Sequence, residues 1–233
     1  MTEIAAPARQ QLDGFLEALK AVLTDQLVAV YLHGSLATDS FEAARSDIDV
    51  LAITANALTT EQRRGCIAAC LNHSLRPAPL EISILQQSAL QPFMHPSPFE
   101  FHYGEDHRET YASGGSITAT TDVDLACHIA MTRARGQTLV GPAASELLPE
   151  VKPRDLIDSL RQDFLWARSQ QPQLQDYLRA NAARTIAWLT DGQFRSKREA
   201  LAEGWLRSDL AGMELADHVL AALDRAARSE DTD

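Results

Sequence analysis

Leu32-His33-Gly34-Ser35, followed after eleven residues by Asp47-Ile48-Asp49-Val50, is the stretch on which the fold turns. LVAVYLH (27–33) is a short apolar run with β-branched members and predicts a buried strand. SDIDVLAIT (46–54) predicts a second strand. Side chains two apart on a strand leave from the same face, so the carboxylates of Asp47 and Asp49 are expected side by side. Gly34, just after a strand, lets backbone N–H groups come close to an anion, and Ser35 adds a hydroxyl donor. Two adjacent carboxylates repel each other unless a divalent cation lies between them. Mg²⁺ favours such a site, taking one or two carboxylates together with phosphate oxygens and water. These parts fit nucleotidyl transfer, which needs charge on a triphosphate neutralised and an attacking group aligned. An Asp-x-Asp or a Gly-Ser alone is common; the ordered combination carries the reading.

Working outward, residues 8–26 place Leu12, Phe15, Leu16, Leu19, Val22 and Leu23 at helical spacing. TTEQRRGCIAACLN (59–72) reads as a helix, with Thr59 and Gln62 at capping-box spacing. PLEISIL (79–85) is a third strand, with Leu80, Ile82 and Ile84 on one face and Glu81 and Ser83 on the other. If it neighbours the second strand, three acids converge. Glu81 is then either a third metal ligand or a general base for an acceptor hydroxyl. His33, at a strand end, is expected to pack rather than react.

The segment 91–120, rich in Pro, His, Gly, Ser and Thr, reads as a surface connection. From Asp122 the pattern turns helical: 122–136 ending on a glycine, a helix starting near Pro153, and further helices over 173–190, 197–207 and 209–229. Trp166, Trp188 and Trp205 are expected as packing anchors. The layout is α/β: an N-terminal domain over 1–120, a mixed sheet flanked by helices, then an all-α domain over 121–233. A cleft between them is the expected binding site.

The 233 residues, 45% hydrophobic and 23% charged, are those of an ordinary globular chain with a sizeable core. No apolar run approaches the roughly 18 residues of a membrane span, and the N-terminus has no signal-peptide pattern. A cytoplasmic location is expected. Cys66, Cys70 and Cys127 form no CxxC pair, so neither disulfides nor zinc are indicated. The formal charge of −11 argues against a long nucleic acid as partner and suits a small cationic one. The expected assembly is a monomer or a weak homodimer.

Leu32 to Val50 resembles the signature of the DNA polymerase β nucleotidyltransferase superfamily. HGSLATDSFEAARSDIDVLAIT, PLEISIL, FEFHYGEDHRETY, TDVDLACHIAMTRARGQTLVGPAASELL and RTIAWLTDGQFRSKREALAEGW extend the likeness over most of the chain. In these segments the chain is similar to the aminoglycoside adenylyltransferases that modify streptomycin and spectinomycin. The resemblance implies AMP transfer from ATP to an antibiotic hydroxyl, with Mg²⁺ as cofactor, conferring resistance. It implies Gly34, Ser35, Ser46, Asp124 and Lys197 as nucleotide-binding residues, with Lys197 reaching the phosphates. Asp47 and Asp49 match metal ligands and Glu81 the catalytic base. Asp106, Asp176 and Arg184 are the acceptor-side candidates. One departure falls on Asp106, which stands where streptomycin-modifying members carry a tryptophan after the Tyr-Gly-Glu run. This points to spectinomycin or another hydroxylated cation rather than streptomycin. The alternatives are the same chemistry on another small molecule, a protein or an RNA end, or a non-catalytic nucleotide-binding protein.

Overall fold

The computed structural model describes residues 6–42, 45–170, 172–206 and 210–230. Helix α1 (Ala6–Leu23) buries Leu12, Phe15, Leu19 and Leu23, one stripe at helical spacing. A single 3₁₀ turn over Thr24–Gln26 leads into β1 (Leu27–His33). A helical turn α2 (Gly34–Ala37) and β2 (Ile48–Thr54) follow. Helix α3 (Thr60–His73) opens on a complete capping box: Gln62 N–H donates to Thr59 Oγ1 at 3.1 Å, and Thr59 N–H donates to Gln62 Oε1 at 3.0 Å. Such a cap stabilises a helix by roughly 1 kcal/mol.

Then come β3 (Leu80–Gln86), the short strands β4 (Ser97–Pro98) and β5 (Phe101–Tyr103), helix α4 (Arg108–Ala112) and β6 (Thr121–Asp122). Helix α5 (Leu125–Arg135), β7 (Gln137–Val140) and α6 (Ala144–Leu147) precede four longer or shorter helices: α7 (Pro153–Ser169), α8 (Gln175–Asp191), α9 (Lys197–Ala202) and α10 (Gly212–Glu230).

The main sheet runs β5-β3-β2-β1-β7, and β4 pairs with β6 apart from it. Only β2 and β3 run parallel in the main sheet, joined through α3; the other pairs are antiparallel. One sheet face presents Val30, Leu32, Val50, Ile82, Ile84 and Phe101 to a core completed by Leu12, Phe15, Cys66, Cys70 and Tyr111. Each such apolar side chain, fully buried, contributes about 1.5–3 kcal/mol. Residues of opposite parity, among them Asp49, Glu81, Ser83 and His102, leave from the other face.

The chain divides into two compact units. The first is Met1–Asp122 with Met131–Pro149, and the second is Val123–Ala130 with Glu150–Asp233. The second has its own core of Leu156, Leu160, Phe164, Leu178, Val219 and Leu223, built as α10 packs on α7 and α8, and α9 on α8. Helix α7 begins on Pro153 at its first turn, as expected. Helix α8 ends at Gly192, whose φ of +73° is the left-handed cap conformation.

Four expectations need correction. The connection over 91–120 is not structureless: Phe101 and Tyr103 point into the core from β5, which extends the sheet beside β3. The boundary at 120/121 cuts across a strand pairing, because β7 pairs with β1 and belongs to the first unit. β7 is a four-residue edge strand that is only half buried, so its sequence carries little periodicity. β2 starts at Ile48, so Asp47 stands just ahead of the strand rather than on it. Trp166 is 52% exposed and meets Tyr177 edge-on rather than sitting in the core, whereas Trp188 stacks on Phe194. The adjoining ends of the expected helices 197–207 and 209–229 lie outside the described residues.

Among the described residues no helix is long and apolar enough to cross a membrane.

Candidate active site

Strand register assembles the sheet side of the site. Asp49 is paired with Glu81 across the parallel β2–β3 ladder, and with His33 across the antiparallel β1–β2 ladder. Paired residues on neighbouring strands share a face about 5 Å apart. The order along this row is thus His33, Asp49, Glu81. Asp49 and Glu81 are half-buried, Asp47 is exposed, and His33 is buried as expected.

Gly34 is shaped to this row. Its φ is +64°, and a Cβ there would stand 1.8 Å from Asp49 Oδ2. Only glycine both adopts the left-handed turn and leaves the carboxylate its place. The next residue holds an unsatisfied group: Ser35 Oγ is buried with no hydrogen-bond partner. Its backbone carbonyl, by contrast, accepts from Ser40 N–H at 3.0 Å and Thr38 N–H at 3.3 Å. A buried hydroxyl without a partner costs about 1–3 kcal/mol, which makes an incoming acceptor atom welcome. Ser46 is less committed to such a role, since its Oγ accepts from Glu42 N–H at 3.1 Å.

Among the described residues no group of three or more His, Cys, Asp or Glu side chains is clustered so as to hold a metal ion. The expected convergence of three acids reduces to the Asp49–Glu81 neighbours, with Asp47 at the mouth of β2. That set still fits a Mg²⁺ whose remaining ligands are phosphate oxygens and water. Gly34 also keeps the Asp49 carboxylate uncrowded.

The start of β3, which sets Glu81, is held from below. Gln11, 5% exposed on α1, donates to the carbonyls of His73 at 2.9 Å and Ala78 at 2.6 Å, and accepts from Ala78 N–H at 3.0 Å. Ser74 Oγ accepts from Leu80 N–H at 2.8 Å and donates to Glu105. Glu105 also accepts from Tyr103 OH at 2.9 Å and Arg108 Nε at 2.7 Å. Burial pushes the Glu105 carboxyl up, but hydrogen bonds from Arg108, Ser74 and Tyr103 outweigh it and hold the group below its ordinary range. Burial, reinforced by Glu105, pushes the Tyr103 phenol up to about 12. Sequence reading missed Gln11 and this network; an amide on the buried stripe of α1 was the available signal.

Of the acceptor-side candidates, Asp106 is exposed, with Oδ2 at 3.5 Å from His107 Nδ1. A Cβ on Gly104 would lie 2.7 Å from Asp106 Oδ1, so this carboxylate folds back over the end of β5. Two residues before Gly104, on β5, comes His102, whose Nδ1 lies 3.0 Å from Ser83 Oγ.

The helical unit gathers the remaining candidates separately. Cys127 lies within electrostatic reach of Arg184, Asp163 and Asp124; burial raises its thiol to about 11, with Arg184 opposing. Asp124 and Arg184 are therefore neighbours of one spot. Lys197 opens α9 behind a capping box of Ser196 and Glu199, and its Nζ stands 4.4 Å from the centre of the Tyr177 ring. Tyr177 OH donates to Asp163 Oδ1 at 2.7 Å, and Asn181 Nδ2 donates to Asp163 Oδ2 at 3.0 Å. Asp176 is exposed in the first turn of α8.

No protein-family model matches the chain. It is 32% identical over 170 residues to an aminoglycoside (3'') (9) adenylyltransferase of Klebsiella pneumoniae, the match covering 70% of this chain and 64% of that one. A spectinomycin 9-adenylyltransferase of Campylobacter jejuni is 29% identical over 157 residues, covering 65% and 60%. The chain thus spans under two thirds of the length of these curated relatives. Its fold matches a spectinomycin adenyltransferase from Enterococcus faecialis, solved with ATP and spectinomycin. That match has a TM-score of 0.75 and 22% identity, over 94% of this chain and 90% of the other. The chain is thus similar in sequence to aminoglycoside and spectinomycin adenylyltransferases, and it shares its fold with one spectinomycin adenyltransferase.

Proposed function

We propose that this protein transfers AMP from ATP to a hydroxyl of an aminocyclitol antibiotic, spectinomycin rather than streptomycin, and so confers resistance. The observation that carries the reading is the Asp49–Glu81 pair in register, with Gly34 moulded to Asp49 and the unpartnered Ser35 hydroxyl beside it. Asp47 and Asp49 would hold Mg²⁺. When bound, the ion neutralises charge on the triphosphate and so lowers the barrier to attack at phosphorus.

The chain's own groups do the rest. Ser35 donates its hydroxyl to a phosphate oxygen, which satisfies an atom otherwise buried without a partner. Glu81 takes the proton from the acceptor hydroxyl; its place beside Asp49 suits a base next to the phosphate site. The acceptor oxygen bonds to the α-phosphorus, and the bond to the pyrophosphate oxygen breaks. Lys197 contributes a point charge to the leaving phosphates. Asp106 offers a carboxylate to an acceptor amine where a streptomycin-binding tryptophan would stack, so its exposure favours a compact cation. We place the reaction in the cytoplasm; the free cysteines Cys66, Cys70 and Cys127 suit that reducing compartment.

The test is pyrophosphate release with Mg·ATP against a panel of aminoglycosides and aminocyclitols, with the product weighed by mass spectrometry. Release with spectinomycin and a product heavier by one adenylyl group is expected. Silence across the panel would overturn the assignment.

A further inference from the structure

The turn that carries Ser35 is held by side chains as well as by its own backbone. Thr38 Oγ1 donates to the Gly34 carbonyl at 2.9 Å. Ser40 Oγ donates to the Ser35 carbonyl at 3.4 Å. The Ala37 carbonyl accepts from Gln137 Nε2 at 3.1 Å. Thr38 and Ser40 are close in sequence to the turn they bind. Gln137 is 100 residues from Ala37 and opens β7.

Strand register explains this reach. Gln137 is paired with Leu32 of β1, two residues before Gly34. Paired residues share a face, so the amide leaves on the side of Leu32 and the apolar core. Leu36 and Ala37 of the turn are buried in that same core, and Leu139, two residues after Gln137, packs against it. Asp49, paired with His33, leaves from the other face. Gln137 thus grips the turn from the side opposite the acidic row. Its own position is fixed by the chain just ahead. Gly136 N–H donates to the Thr132 carbonyl at 2.8 Å, and a Cβ on Gly136 would stand 2.5 Å from that oxygen.

The chemistry of the tie matters. A turn that receives an anion must offer N–H and O–H groups and keep its carbonyl oxygens turned away. A donor on the Ala37 carbonyl holds that oxygen toward β7. The turn also begins on a glycine with φ of +64°, a residue with many other conformations open to it. A bond from a neighbouring strand narrows that choice before the anion arrives, so less ordering cost remains on binding. A glutamine does this without adding charge beside the acidic row.

We propose that Gln137 is a positioning residue for nucleotide binding: its amide ties the Ala37 carbonyl to β7 and so holds the Gly34–Ala37 turn in the shape that presents the Ser35 hydroxyl to a phosphate. The inference rests on the proposed phosphate-binding role of Ser35, whose hydroxyl is buried without a partner.

The test measures Mg·ATP affinity of the full chain by calorimetry, without acceptor, with thermal unfolding of each variant as a folding control. Gln137→Met and Gln137→Leu remove the donor with different changes of shape, and each should weaken binding about three- to tenfold. In a Ser35→Ala background the same changes should cost less than about twofold, because the hydroxyl they would misplace is already gone. Affinities within about twofold of the parent, whatever the melting temperature, would leave the amide a purely structural tie and overturn the proposal. Equal losses with and without the Ser35 hydroxyl would overturn it too. A parent protein that binds no ATP at all would instead overturn the reading of the protein as an adenylyltransferase, and this inference with it.

Discussion

The acidic row on the sheet and the side-chain cluster of the helical unit are positioned by different means. On the sheet, Asp49 and Glu81 are neighbours because backbone hydrogen bonds set the register of β2 against β3. In the helical unit, Lys197 follows the Ser196–Glu199 capping box, and its ammonium meets the ring of Tyr177, which side-chain bonds tie to Asp163. The first kind of placement is stiff and tolerates changes away from the row. The second depends on every link and shifts when any one is altered. The sheet therefore suits groups whose separation fixes the chemistry.

The comparison can be broken most sharply at the row itself. Asp49→Asn, or Asp47→Asn, is expected to lower adenylyl transfer by roughly 10³-fold with an unchanged melting temperature, measured by pyrophosphate release. Near-parental turnover would remove these carboxylates from the site. Glu81→Gln should cost about 10²–10³-fold in kcat with little change in ATP affinity; a loss confined to ATP binding would make Glu81 a metal ligand instead of a base. Gly34→Ala tests the stiffness of the register. Its methyl would meet Asp49 Oδ2 at 1.8 Å in a left-handed backbone. A loss of about 10²-fold in turnover and about 1–3 kcal/mol in stability is expected.

The smallest effect probes the support beneath β3. Glu105→Gln should destabilise the protein by about 1–2 kcal/mol at neutral pH, read from denaturant unfolding. The sign follows from the lowered carboxyl. A group held below its ordinary value of 4.5 in the fold contributes stability that is fully present above that value. That stability is lost as pH falls through the folded value, so parent and variant should converge in acid. A gap that stays constant down to low pH would mean that the Glu105 charge plays no part.

These outcomes bear on what a sequence displays. Alternation in PLEISIL marks Glu81 as the odd polar residue on an apolar strand, and a period of two is enough to place it on the face opposite Ile82. The Gly-Ser and Asp-x-Asp elements are likewise local. The helical cluster is not local. Asp163 and Tyr177 are 14 residues apart on different helices, and their meeting depends on how α7 packs against α8. β7 escaped because Gln137–Val140 is short and half exposed, and because a strand that follows a helix gives no hint of its partner. Asp47 was placed on the strand because alternation cannot locate where a ladder begins. The tryptophans misled in part, since bulk alone does not say which ring is covered.

The return of β7 to β1 has a practical consequence for anyone dissecting the chain. Cutting after residue 122 would not release a finished sheet. It would strip β1 of its outer neighbour and leave Leu27–His33 as a bare, β-branched edge. Such an edge is a template for other chains, so the isolated N-terminal fragment should clump rather than stay dispersed. A fragment that keeps Met131–Pro149, joined back by a short linker in place of residues 123–130, retains the guard strand and is the better starting point for splitting or permuting this protein.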